Sequence, residues 1–146
     1  VGNWKGITKT WFEPDVLTDE SPMKGSFRSL FDGRFILYEY EGSIQGKPFQ
    51  GMMIIGLHLL TNEYQSAWID TFHMGTGIMF SNGEKNDPYF SVLGNYTTGG
   101  PEPQTWGWRT TIEFTDDDQM ILSAWNISPD GMEALGTQTM YSRVNQ

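Results

Sequence analysis

The sequence predicts an all-β protein, a closed antiparallel up-and-down barrel of about ten strands, on three observations. Aromatic residues make up 14% of the 146 residues and 17 residues are glycine, a combination typical of strands joined by tight turns. Turn signals recur between runs of about 6 to 11 residues that are rich in β-branched and aromatic side chains. No segment shows an amphipathic helix period over three turns.

Ten runs of residues carry the strand pattern, and no linker or long repeat separates them. They are 3–12, 23–31, 34–42, 48–59, 63–72, 76–81, 89–97, 106–115, 119–127 and 132–144. Between them, the polar, proline-bounded stretch 12–22 predicts a loop, and Asn82-Gly83 within 81–88 predicts a tight turn. The length suits one domain, so we expect residues 1–146 to form a single barrel.

The charge balance excludes several classes of partner. Nine basic residues against 18 acidic ones give a formal net charge of −9. Nucleic acid is not an expected partner because its binding begins with neutralisation of phosphates by Lys and Arg, and anionic membrane surfaces are disfavoured for the same reason. No stretch reaches the roughly 20 apolar residues of a membrane helix, so no membrane insertion is expected. The chain has no cysteine, and we expect a soluble protein of either the cytoplasm or the periplasm.

The run 48–59 is apolar on both of its faces. Met53 and Ile55 alternate with Met52 and Ile54, whereas a strand with one face in water should alternate apolar and polar residues. The pattern favours closure of the sheet around an interior, with a second apolar face that could serve a homodimer.

Aromatic and acidic side chains alternate in the next strand upstream. Tyr38 and Tyr40 share one face, and Glu39 and Glu41 share the other. Alternation alone does not say which face is internal, because a shift of one residue in register exchanges them. We interpret the two carboxylates as charge on the solvent side or at the rim of the barrel; both tyrosines are candidates for the interior if their face is the internal one.

Trp4 near the start and Arg143 near the end predict how the barrel closes. In a closed barrel the first and last strands pair, so a tryptophan and a guanidinium at the two ends of the chain can stack. A desolvated pair of this kind stabilises by about 2 kcal/mol. The expected role is structural.

Four motifs together resemble a known family. The Gly-x-Trp near the start is similar to that of the lipocalin and fatty-acid-binding (calycin) superfamily. The order of the motifs resembles a bacterial calycin-like family, domain of unknown function fifteen seventy-nine, over nearly the whole chain. The motifs are "GNWKG", "FDGRFILYEYEG", "GKPFQGMMIIGLH" and "YQSAWIDTF". The resemblance implies a closed antiparallel barrel with an internal cavity, and no established activity.

Trp68 and Asp70 lie two residues apart and therefore on one face of a strand. If that face is internal, the Asp70 carboxylate lies in a medium of low dielectric constant and needs a partner. The candidates for that partner are Arg34, His58, His73 and Arg109.

The leading functional hypothesis is binding of a small hydrophobic or amphipathic ligand in an internal pocket of about a few hundred Å³. The candidate cavity residues are Tyr38, Tyr40, His58, Trp68, Asp70, His73, Trp108 and Arg109. One alternative is an enzyme that uses Asp70 and a histidine as acid and base. The other is a structural dimerisation module built on the strand 48–59.

No cofactor is predicted, and no residue is assigned as catalytic. Barrels similar to nitrobindin place their haem ligand late in the chain, whereas no histidine follows His73, so haem is not expected. The two histidines, His58 and His73, lack the spacing of a metal motif, and no nucleophile motif is present.

Overall fold

Ten antiparallel strands form a closed barrel in the computed structural model, which describes residues 1–85 and 89–145. The strands are β1 (Gly2–Glu13), β2 (Val16–Leu30), β3 (Phe35–Ile44), β4 (Lys47–His58), β5 (Glu63–Asp70), β6 (Met79–Glu84), β7 (Phe90–Thr97), β8 (Thr105–Asp116), β9 (Gln119–Ile127) and β10 (Glu133–Arg143). Each strand pairs with its neighbours in sequence, and β1 pairs with β10 to complete the ring. The predicted fold is confirmed. In the described part of the chain, no helix is long and apolar enough to cross a membrane.

The predicted loop 12–22 is mostly strand, and that expectation is wrong. The chain turns within two residues at Pro14 and Asp15, where Asp15 has a φ of 61°. Residues 12–17 of this hairpin are exposed, so polar side chains are tolerated there although the backbone is paired. Polarity indicated a loop only because both faces of this extension are in contact with water.

The predicted turn at Asn82-Gly83 is also wrong, because both residues lie in β6 and pair with residues of β5. A Cβ on Gly83 would lie 2.1 Å from the Ser91 carbonyl oxygen, so glycine permits a close approach of β7. The end of the predicted turn segment, 86–88, lies outside the described residues.

The tyrosine face of β3 is internal and its glutamate face is external. Tyr38 is only 4% exposed, and its ring stacks on Phe27 at 4.4 Å between centroids. Its hydroxyl lies 2.6 Å from that of Tyr141 on β10, inside the barrel and past the two intervening strands β1 and β2. Burial raises the pKa of both phenols, so both remain neutral hydrogen-bonding groups in the core.

One internal row of residues links five strands and positions the site described below. Paired Cα positions run Trp4, Gly25, Tyr40, Gly51 and Asp70 from β1 to β5. Large side chains therefore alternate with glycines along the row. The two glycines leave space that rings of neighbouring strands occupy, which lets an aromatic side chain lie across the adjacent strand.

Trp4 and Arg143 meet where β1 pairs with β10. The Arg143 guanidinium carbon lies 4.4 Å from the centroid of the Trp4 ring, and Trp4 is 2% exposed. The guanidinium also donates to the carbonyl oxygens of Val1 at 2.7 Å and Asp117 at 3.0 Å. One cation thus connects both ends of the chain with the β8–β9 turn.

We predict that Arg143→Gln lowers the free energy of unfolding by about 2 kcal/mol, because the variant loses the stacking and the charge-assisted hydrogen bonds. Urea unfolding measures the loss. Arg28→Gln is the matched control, because within the described part of the chain Arg28 pairs only with the half-buried Glu39, at 3.2 Å, and such surface pairs contribute less than about 1 kcal/mol. Equal losses in the two variants would contradict the closing role of Arg143.

Candidate functional site

Asp70 is a buried carboxylate at the end of β5, with no exposed side-chain surface. Its Oδ1 accepts from the backbone N–H groups of Phe72 at 3.0 Å and His73 at 2.7 Å. This is an Asx-type turn, in which the side chain of a strand end orders the loop that follows. The position of the carboxylate thus follows from local sequence, and the loop is folded around it.

The second oxygen of Asp70 binds two side chains. His73 Nδ1 lies 2.5 Å from Oδ2, and the Tyr40 hydroxyl donates to Oδ2 at 3.0 Å. An ionised carboxylate can only accept, so the proton of this short contact belongs to His73 Nδ1. Of the four candidate partners that the sequence offered, the structure selects His73.

Tyr40 reaches Asp70 by crossing β4 at Gly51. A Cβ at Gly51 would lie 2.3 Å from the Tyr40 hydroxyl oxygen and 2.6 Å from Asp70 Cβ. The same hydroxyl accepts from Trp68 Nε1 at 2.7 Å. The phenol therefore forms both of its hydrogen bonds inside the barrel, and the absence of a side chain at Gly51 makes this arrangement possible.

The environment shifts the pKa values of both groups. Burial opposes ionisation of Asp70, but the hydrogen bond and charge of His73 and the two backbone N–H groups outweigh burial and lower the pKa of Asp70. Burial, followed by the charge of Asp70, raises the pKa of Tyr40 well above its ordinary value. Asp70 is thus the fixed negative charge of the site, and Tyr40 is a neutral donor.

His73 lies among aromatic rings at the border between solvent and the barrel interior. Its side chain is 23% exposed, and its centroid lies 5.1 Å from that of Trp68 and 5.8 Å from that of Trp108. The two tryptophan rings are nearly parallel, with centroids 5.9 Å apart. The imidazole is therefore fixed by Asp70 on one edge and by packing on its faces.

A cavity of about 60 Å³ lies beside these rings, inside the half of the barrel nearer the loop after β5. It is lined by Tyr38, Tyr40, Trp68, His73 and Trp108, together with residues of the opposite wall. Such a space holds about four to six waters, or one compact molecule of fewer than about ten non-hydrogen atoms. The expected volume of a few hundred Å³ is wrong, because large rings and methionines fill most of the interior.

Much of the wall formed by β1 and β10 consists of threonines, which the sequence analysis did not identify. They are Thr8, Thr10, Thr137 and Thr139, and Thr110 on β8 also lines the cavity. The Thr8 and Thr139 hydroxyls bond to each other at 2.6 Å, whereas the buried Thr10 hydroxyl has no partner among the described residues. The signal that could have shown this wall is the two-residue spacing of threonines in both the first and the last strand.

Three of the residues proposed from sequence lie away from the cavity. His58 is at the exposed end of β4, where Nδ1 accepts from the Thr61 N–H at 3.4 Å. Arg109 is on the outer face of β8 and pairs with Glu133 at 2.9 Å. Arg34 is in the exposed turn after β2. None of them contacts Asp70, so His73 is the cationic or imidazole group that the structure brings to this carboxylate.

A larger concavity of about 860 Å³ is an open groove on the outer face of β1–β5. Its lining includes the exposed side chains of Lys5, Lys24, Met52 and Ile69, together with atoms of Tyr40 and Asp70. The groove is more open than the interior cavity, and His73 lines only the latter of the two. We therefore assign the candidate site to the smaller, internal cavity.

The site can accept a hydrogen bond or a proton from a molecule in the cavity through His73, whose orientation is set by Asp70. Within residues 1–85 and 89–145, no hydroxyl or thiol hydrogen-bonds to His73, so the base-and-carboxylate pair has no adjacent nucleophile. The same residues contain no group of three or more potential metal ligands.

We predict that Gly51→Ala disrupts the site and lowers the free energy of unfolding by about 2 kcal/mol or more, because the methyl group occupies the place of the Tyr40 hydroxyl. Urea unfolding provides the measurement. Gly99→Ala is the matched control: nothing lies within 4 Å of a Cβ there, and the change should remain within about 0.5 kcal/mol. A loss in the control as large as at Gly51 would contradict the prediction.

The lowered pKa of Asp70 predicts a pH dependence of stability. Its contribution is present above the unfolded-state pKa near 3.8 and is lost as the pH falls through the lower folded-state pKa. The wild type should therefore exceed Asp70→Asn most in unfolding free energy above about pH 5, and the difference should shrink on acidification. Urea unfolding across this range measures it; a difference that is independent of pH argues against an ionised, stabilised Asp70.

One comparison with known proteins identifies the family of the chain. A family described as "Protein of unknown function (DUF1579)" matches residues 1–143. No curated protein matches the chain significantly. Since the match covers nearly the whole chain, the protein belongs to the DUF1579 family.

Proposed function

We propose that the protein binds a compact, largely apolar small molecule in the internal cavity, with His73 as its polar contact. The observation that supports this most is the Asp70–His73 pair at 2.5 Å, which fixes an imidazole in the cavity wall. The four hydrogen bonds around Asp70 order a loop and a ring beside this internal cavity.

The remaining lining supports an apolar body for the ligand. Aromatic rings from β5 and β8 border the cavity on one side, and Met53 and Leu122 contribute flexible apolar groups. Concave sites of this composition, with few polar groups in fixed positions, are typical of small-molecule binding sites. The volume of about 60 Å³ restricts the ligand to about the size of a single substituted ring.

The test uses 4-methylphenol as the probe, and binding is measured by calorimetry and by the total tryptophan fluorescence, to which the cavity-lining Trp68 and Trp108 contribute. Ala124→Leu fills the cavity from β9, because Ala124 is 3% exposed and lines it. We predict saturable binding to the wild type and a loss of at least about tenfold in the variant.

Ala67→Leu is the matched control, because Ala67 lies on the outer face of β5, opposite Ile54 and Phe80. It makes the same substitution without entering the cavity and should leave the affinity unchanged. Thermal unfolding of both variants confirms that each is folded. Undiminished binding to Ala124→Leu would place the probe elsewhere, such as the outer groove, and would refute the internal site.

A further inference from the structure

The cavity is lined by a buried hydroxyl that has no hydrogen-bond partner among the described residues. Four buried side-chain atoms of the described residues lack partners, and of their residues only Thr10, which is 3% exposed, lines the cavity. The partly exposed His73 also lines the cavity; its Nδ1 contacts Asp70, and its Nε2 makes no hydrogen bond to the described residues. A buried hydroxyl without a partner is a cost to folding, which a ligand or a water in the cavity can remove.

These two atoms belong to opposite sides of the barrel. His73 follows β5 directly, whereas Thr10 is on β1, four strands away around the ring of ten. The cavity is bordered by the Trp68 and Trp108 rings, by apolar side chains and by further threonines. His73 and Thr10 therefore lie on different walls of one small, largely apolar space.

The chemistry of each end follows from its neighbours. Because the Asp70 carboxylate holds the proton on His73 Nδ1, neutral His73 presents Nε2 as an acceptor and calls for a ligand group that donates. The Thr10 hydroxyl has a free proton to donate, since its oxygen and hydrogen are both without partners in the described chain. It therefore calls for an acceptor.

We infer that the ligand is a compact ring compound with a hydroxyl group at one end, bound by His73, and a hydrogen-bond acceptor at the other, bound by Thr10. This inference rests on the proposed function and specifies the chemical class that the same cavity takes. A ring with one substituent at each of two opposite positions has fewer than about ten non-hydrogen atoms and fits the available volume.

Three probes of nearly equal size separate the two ends. 4-Cyanophenol carries both a hydroxyl and an acceptor nitrile, 4-methylphenol lacks the acceptor, and benzonitrile lacks the hydroxyl. One neutral hydrogen bond changes an affinity by about three- to tenfold. Calorimetry with the wild type should therefore give 4-cyanophenol an affinity about three- to tenfold higher than that of either analogue.

Thr10→Val removes the hydroxyl with little change of shape. We expect it to lower the affinity for 4-cyanophenol about three- to tenfold and to leave that for 4-methylphenol unchanged. The nitrile stretching band of bound 4-cyanophenol should also shift between the wild type and the variant, because it reports the hydrogen bond directly. Equal affinities of the three probes, or equal losses of both phenols in the variant, would overturn the two-ended assignment.

The stability of the empty protein gives a readout that does not depend on ligand. Thr10→Val should raise the midpoint of thermal unfolding, because it removes a buried hydroxyl without a partner. Thr8→Val is the matched control and should lower the midpoint, because it leaves the Thr139 hydroxyl without its 2.6 Å partner. A midpoint lowered by both variants contradicts the assignment of Thr10.

The binding results distinguish this inference from the proposed function. Binding of 4-methylphenol with no preference for 4-cyanophenol contradicts this inference alone, whereas absence of all binding contradicts the proposed function as well.

Discussion

The site depends on one buried negative charge. A carboxylate removed from water is unfavourable by several kcal/mol unless hydrogen bonds and an opposite charge replace its hydration. Asp70 receives four hydrogen bonds, two from the backbone that follows it and two from Tyr40 and His73. Satisfying this charge therefore determines the path of the loop after β5, the rotamer of a tyrosine two strands away and the orientation of the imidazole. Removal of any one of these donors leaves the carboxylate with too few hydrogen bonds in an apolar interior.

The rest of the interior is arranged around that requirement. Gly51 leaves the space through which Tyr40 reaches the carboxylate. Gly25 leaves space for the Tyr141 hydroxyl, which would lie 2.7 Å from a Cβ at that position. Rings crossing over glycines fill most of the barrel, which explains why the hollow is small. What remains has a wall of aromatic rings on one side and of threonine hydroxyls on the other. A barrel that holds a large lipid-like molecule would instead leave this volume empty.

Much of the fold follows from short-range pattern, and much of the site does not. Alternation and turn residues predicted all ten strands. The polar stretch 12–22 was wrongly predicted to be a loop because it is an exposed strand hairpin. Asn82-Gly83 was wrongly predicted to be a turn because a closely packed glycine in a strand has the same sequence signal. The spacing of Trp68 and Asp70 predicted that they share one face of a strand, but it did not show that this face is internal. The contact of Asp70 with His73 rather than with Arg109 was not predictable either, because the strand register decides that Arg109 faces outward.

The position of the proton on His73 tests this account most directly. The chain has two histidines, and the exposed His58 serves as the reference in nitrogen-15 NMR spectra of the ring nitrogens. Neutral His73 should carry its proton on Nδ1 and have a bare Nε2, since the Asp70 carboxylate accepts the hydrogen bond from Nδ1. Retention of the proton on Nε2 with a bare Nδ1 would contradict the account, because Asp70 would then lack the donor that orients the ring.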